Sequence, residues 1–152
     1  MKNKTFLVFF FILFFCNYSL AENVRVIDGD TIVISNKKIR FSGIDAPELD
    51  QECFKNESKV FCGLDAKKIL IKKINNQIPK CIEEGIDRYK RILAECFVNE
   101  GSLSSFLVKN GYAFAYRKYS KKFIEDEEFA KSAKLGLWAM KFEFPWDFRK
   151  KK

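Results

Sequence analysis

Between Val24 and Ile44 three short apolar-rich runs are separated by tight turn sequences, and this spacing constrains the fold more than any other feature of the chain. Val24-Arg25-Val26-Ile27 alternates and Asp28-Gly29-Asp30 turns. Thr31-Ile32-Val33-Ile34-Ser35 is β-branched almost throughout, Asn36-Lys37-Lys38 turns again, and Ile39-Arg40-Phe41-Ser42-Gly43-Ile44 returns. Strands this short, joined by turns this tight, predict an antiparallel meander. Asp45-Ala46-Pro47-Glu48 ends the third strand, because proline has no N–H to give to a ladder.

The rest of the chain predicts a helix after Gly63, two strands and two more helices. In the first helix Ala66, Ile69, Leu70 and Ile74 share one stripe, with lysines outside it. Strands are expected near 79–84 and 91–98. A turn centred on Arg88-Tyr89 would set Cys81 opposite Cys96, at a separation that suits a disulfide. Leu103, Phe106 and Leu107 carry helical spacing, with Gly111 just past the helix end. A last helix is expected from about Ser120 to Leu135, capped by Ser120 and burying Phe123, Ala130 and Ala133, with Gly136 closing it. Trp138 and Trp146 are expected to pin the C-terminal segment. The fold class is therefore α+β, a five-stranded OB-type Greek-key β-barrel with three α-helices. Such barrels often bind oligonucleotides, although fold alone does not give function.

The N-terminus has the pattern of a secretory leader. Lys2 and Lys4 precede ten apolar residues, Phe6 to Phe15, and Ser19-Leu20-Ala21 offers small residues for a cut. Ten residues are short for a membrane span. Residues 1–21 are read as a signal peptide and 22–152 as one domain, secreted or periplasmic. The whole chain carries a formal net charge of +8. Arg149-Lys150-Lys151-Lys152 reads as a solvated basic end. Without Cys16 four cysteines remain, and export favours disulfides, Cys53–Cys62 and Cys81–Cys96 being the preferred pairing. No C-x-x-C pair is present to support a zinc site.

The chain contains no histidine. Ser-His-Asp hydrolysis, His-based nuclease chemistry and His-ligated metals are thereby excluded within this chain. Catalysis would rest on carboxylates, arginines and a metal held by oxygen. Asp30 and Asp45 lie at ends of adjacent strands and could meet at one end of the barrel. An oxygen-rich site of this kind, with the Ala46 carbonyl, suits Ca²⁺. Glu48 lies beyond Pro47 and could activate a water. Arg40 and Arg91 carry planar forks that match phosphate oxygens. These are the parts of a metal-assisted phosphodiesterase.

Taken alone, each part has a plainer reading: a hairpin turn, a strand terminator, a surface arginine. Their joint order carries the argument. Val26-Ile27-Asp28-Gly29-Asp30-Thr31, Arg40-Phe41-Ser42-Gly43-Ile44-Asp45-Ala46-Pro47-Glu48 and Asp87-Arg88-Tyr89-Lys90-Arg91-Ile92-Leu93-Ala94 resemble three signatures of the thermonuclease, or staphylococcal-nuclease-like, family. Leu107-Val108-Lys109-Asn110-Gly111-Tyr112-Ala113 and Ala133-Lys134-Leu135-Gly136-Leu137-Trp138 resemble its helical portion. The resemblance implies a Ca²⁺-dependent nuclease that acts on DNA and RNA and leaves 3′-phosphate ends. It assigns Asp30, Asp45 and the Ala46 carbonyl to the metal, Glu48 to the water, and Arg40 and Arg91 to the transition state. Asp28 would support the site from behind. Tyr89 and Tyr119, with Tyr116 nearby, would lie beside the substrate. No protein partner is implied and a monomer is expected.

Two positions depart from the family pattern. Ala46 stands where Thr is found in its best-known member, which leaves the carbonyl intact. Lys90 stands where Gly usually precedes the arginine, so a left-handed backbone there would cost about 1–2 kcal/mol. The competing reading is an inactive OB-type module that binds nucleic acid through its charge and exposed aromatics.

Overall fold

The computed structural model describes residues 23–152. The expected leader, with Cys16, lies outside the described residues. The meander forms as β1 (Val24–Val26), β2 (Thr31–Ile34) and β3 (Lys37–Phe41), all paired antiparallel. The β2–β3 turn uses Ser35 and Asn36, at φ 47° and 64°, one residue earlier than expected. Two central residues at positive φ match the right-handed twist of the flanking strands.

The chain continues through β4 (Ile44–Asp45), β5 (Glu52–Lys55), β6 (Ser58–Phe61) and α1 (Cys62–Ile74). Next come β7 (Lys80–Ile86), β8 (Ile92–Val98), β9 (Gly101–Ser102) and α2 (Leu103–Lys109). The last elements are β10 (Phe114–Ala115), α3 (Ile124–Ser132), a 3₁₀ turn (Gly136–Ala139) and α4 (Pro145–Lys150). The main sheet has the order β1-β2-β3-β8-β7, with β9 added to β8. The β3–β8 pair is parallel and sets Arg40 beside Leu93. The class is α+β with an OB-like sheet core, as expected, but among the described residues the main sheet has six strands rather than five and there are four α-helices rather than three.

The core lies between this sheet and α1 and α2. Ile32, Phe41, Ile44, Leu70, Ala94, Leu103, Leu107 and Val108 are almost fully buried in it. α2 is capped by Ser102, whose hydroxyl accepts from the Ser105 N–H at 3.2 Å. Past its end Gly111 takes φ 73°, and its N–H donates to the Val108 carbonyl. This is the left-handed helix end that the glycine predicted.

Three expectations need correction. Between Cys53 and Cys62, where the sequence reading places no element, the chain forms a β-hairpin turning at Asn56 and Glu57, both at positive φ. The α3 helix is shorter than expected: it starts at Ile124, Ser120 does not cap it, and Ala133 is exposed. Instead the Ser120 hydroxyl accepts from the Lys122 N–H. Finally, the basic C-terminus is ordered into α4, with Pro145 opening it at a position where a missing N–H costs nothing.

Both expected disulfides are present. Cys53–Cys62 has a Cα separation of 5.8 Å and Cys81–Cys96 one of 4.0 Å. Cys81 faces Cys96 in the β7–β8 register, as expected, although Ile86 pairs with Ile92 beside the turn and a bulge between Glu83 and Gly85 shifts the register on the way. A second apolar cluster surrounds Phe114, against which Trp138, Phe142, Phe144 and Trp146 pack with ring centroids 5.0–6.0 Å away. This cluster fixes the C-terminal segment to the body, as expected of the two tryptophans. Among the described residues no helix is long and apolar enough to cross a membrane.

Candidate active site

The two acidic turns meet because glycine and a short strand pair bring them together. The backbone at Gly29 passes so close to the second turn that a Cβ there would sit 2.7 Å from the Ala46 Cβ and 2.8 Å from the Ala66 Cβ. Across this contact the Ala46 N–H donates to Asp30 Oδ2 at 2.8 Å. Asp45 sits in β4, paired with Phe114 of β10, and its side chain has no exposed surface. Farther along, Gly63 lets the start of α1 approach the Glu48 carbonyl more closely than any side chain would allow.

Arg40, projecting from β3, joins the two aspartates. It pairs through Nη1 with Asp30 Oδ1, and through Nη2 with Asp45 Oδ1 at 2.9 Å and the Ile44 carbonyl at 3.2 Å. Thr31 adds a hydroxyl donor to Asp30 Oδ1 at 3.1 Å. Asp28 accepts from the Asp30 N–H at 3.0 Å. Burial, reinforced by the negative charge of Asp30, pushes the Asp28 carboxyl up to about 6. Burial also raises Asp45, and the two arginines that contact it do not fully offset this. Burial works against the Arg40 charge, but Asp30 and Asp45 outweigh it and raise its pKa.

Glu48 stands at the mouth of this cluster. Its backbone N–H donates to Gln51 Oε1 at 3.2 Å, and Gln51 Nε2 donates to the Glu143 carbonyl at 2.7 Å. Gln51 is thus a buried link between the Glu48 loop and the C-terminal segment, a role its sequence position did not signal. Arg149 was also missed. Read as part of a solvated tail, its guanidinium instead meets Asp45 Oδ2 at 2.6 Å and Glu48 Oε1 at 2.9 Å.

Arg91 approaches from the β7–β8 turn. Asp87 holds it in place: Oδ2 accepts from Nε at 2.7 Å, and Oδ1 from the Arg91 and Tyr89 N–H groups at 2.9 and 2.8 Å. Burial works against the Asp87 charge, but these donors outweigh it and keep its pKa below the usual value. Lys90 takes φ 61°, so the left-handed conformation persists without glycine. The Arg91 guanidinium lies 5.4 Å from the centre of the exposed Tyr89 ring. Tyr116 and Tyr119 contact each other at 4.9 Å.

All of the expected site residues other than the cysteines line one open cavity of about 1080 Å³: Asp28, Asp30, Arg40, Asp45, Ala46, Glu48, Tyr89, Arg91 and Tyr119. Tyr116, Lys38, Lys118 and Arg149 share the wall. Its floor is acidic and its rim basic and aromatic. Among the described residues no three Cys, Asp or Glu side chains gather into a ready-made metal cage. The donor set is two buried carboxylates and a neighbouring carbonyl, with a third carboxylate at the mouth. That chemistry fits a hard cation whose remaining ligands are water or substrate oxygens. The same carboxylates attract two guanidinium groups, which shows how strongly the position calls for positive charge.

Comparison with known proteins identifies the relatives of this chain. The family described as staphylococcal nuclease homologue matches residues 38–140. An uncharacterized endonuclease of Haemophilus influenzae is 32% identical over 76% of this chain and 64% of its own length. The staphylococcal-like nuclease CAN1 of Arabidopsis thaliana is 30% identical over 88% of this chain and 40% of its own length. A micrococcal nuclease of Shigella flexneri is 30% identical over 86% of this chain and 80% of its own length. The chain therefore spans less than two thirds of the first two relatives and most of the third. With the matched region reaching from β3 through the 3₁₀ turn that carries Trp138, the chain belongs to the staphylococcal nuclease homologue family.

Proposed function

We propose that this protein is an exported, Ca²⁺-dependent nuclease that hydrolyses DNA and RNA to products with 3′-phosphate ends. The observation that carries the reading is the shared cavity: Asp30, Asp45, Glu48, Arg40 and Arg91 line one wall system although they are spread over 62 residues. Asp30, Asp45 and the Ala46 carbonyl would hold the ion, which when bound neutralises phosphate charge at the point of attack.

Every other part of the reaction falls to side chains of this chain. Glu48, the most accessible carboxylate of the group, accepts a proton from a water placed in line with the leaving 5′ oxygen. Arg40 and Arg91 donate to the phosphate oxygens as charge gathers there. Attack breaks the bond between phosphorus and the 5′ oxygen, so the phosphate stays on the 3′ side and the departing oxygen takes up a proton. Tyr89 and Tyr119 present exposed rings to the flanking nucleotides. Asp28 holds the Asp30 turn. The two disulfides and the leader pattern support export. A monomer is sufficient, because every proposed group comes from one chain.

The test is cleavage and binding of a labelled single-stranded oligonucleotide by wild type and Glu48→Gln. The wild type should cleave in Ca²⁺, while the variant binds with little turnover. Binding by the wild type without turnover would favour the inactive module instead.

A further inference from the structure

The C-terminal guanidinium occupies a place that the proposed mechanism leaves unexplained. Arg149 bonds to both Asp45 oxygens, at 2.6 and 3.2 Å, and to Glu48 at 2.9 Å. It therefore spans the carboxylate proposed to bind the ion and the carboxylate proposed to activate water. Burial works against its charge, but these partners outweigh it and raise its pKa, so it stays charged.

This placement is built into the fold. α4 is held by Trp146, stacked on Phe144 at 4.5 Å and parallel to Tyr116 at 5.8 Å. Lys151 pairs with Glu143 at 2.7 Å and Lys152 with Asp50 at 2.6 Å. Gln51 ties the same segment to the Glu48 loop. Yet the Arg149 side chain keeps 38% of its surface exposed, against none for Asp45. Its fork can swing outward, while the carboxylate it holds cannot follow.

We propose that Arg149 is a positioning residue of the site, a tethered cation that holds Asp45 and Glu48 and competes with the divalent ion for them. The inference rests on the calcium reading given above. The Arg149 charge stands at Asp45 Oδ2, which Arg40 leaves free, and it repels a divalent ion approaching that oxygen, so ion binding favours the outward position of Arg149. Removing its charge strengthens the field of the remaining carboxylates as well as ending the competition. Arg40 still pairs with Asp45 in either state, so the aspartate is not left alone in the interior.

The experiment is calorimetric titration of the full folded chain with CaCl₂, for wild type, Arg149→Gln, Arg149→Lys and Lys152→Gln. Arg149→Gln should bind Ca²⁺ about tenfold more tightly, the factor set by losing a charged hydrogen-bonded competitor. Arg149→Lys keeps the charge but cannot span both carboxylates, and should bind about two- to threefold more tightly. Lys152→Gln frees the chain end without touching Asp45 and should match wild type. Unchanged or weaker binding by Arg149→Gln overturns the proposal while leaving the calcium site intact. If Arg149→Gln does not fold, unchanged binding by Arg149→Lys overturns it. Absence of Ca²⁺ binding by wild type and both Arg149 variants defeats the calcium reading itself, and this proposal with it.

Discussion

Asp30 accepts a hydrogen bond from the backbone N–H of Ala46 at 2.8 Å, and this bond locks two acidic turns that lie 16 residues apart. The lock depends on Gly29, where a Cβ would collide with Ala46 and Ala66. Gly29→Ala should lower stability by about 1–3 kcal/mol. It should also cut nuclease activity more than the lost stability explains, because it pushes Asp30 away from Asp45. Thermal unfolding alongside an activity assay at a temperature where the variant is folded checks both effects.

The reaction assigns separable roles to three side chains. Glu48→Ala should reduce turnover by about 10²–10⁴-fold while oligonucleotide affinity stays within a few-fold. Arg40→Ala and Arg91→Ala should each cost about 10²–10³-fold. Arg40→Ala should in addition lose stability, because it leaves Asp30 and Asp45 without the cation that joins them. Single-turnover rates and denaturant melts of the same preparations distinguish these patterns.

Asp28 gives a pH dependence with a definite sign. Its carboxyl is raised from 3.8 to about 6 in the folded protein, so the native state holds this proton more tightly than the unfolded chain does. The contribution is fully present below about pH 4 and is lost as pH rises through about 6. Relative to Asp28→Asn, wild type should lose about 2–3 kcal/mol of stability between those limits. Urea melts of both proteins without added metal across pH 4–7.5 check this. Parallel profiles would contradict it.

Much of the fold could be read because strong local patterns agreed with it. The meander alternated, and the predicted Cys81–Cys96 pairing is present, though a bulge between Glu83 and Gly85 that no sequence pattern signals contributes to it. The acidic turns could be placed together because adjacent strands must end near each other. The missed elements carried no such signal. β4 and β10 have two residues each, too few for any period. The β5–β6 hairpin is largely exposed, so its strands lack an apolar face. α4 is a six-residue helix within a basic tail, and Arg149 finds Asp45 across 104 residues of sequence. Only tertiary packing by Trp146 and its neighbours makes that contact.

Lys90 shows a departure from the expected glycine that the backbone absorbs. It keeps φ 61°, and the Asp87 carboxylate still holds the neighbouring N–H groups. Lys90→Gly should therefore stabilise the protein by about 1 kcal/mol. The cleavage rate should remain near wild type, because Asp87 and not Lys90 places Arg91. A melt and a rate measured together check both parts.

The most direct test of the central claim is digestion of single-stranded DNA and RNA by the purified protein in Ca²⁺ and in excess chelator, followed by end-group analysis. The account predicts degradation only with the ion, with phosphate on the 3′ ends. Degradation that persists in chelator, none with Ca²⁺, or phosphate on the 5′ ends would contradict it.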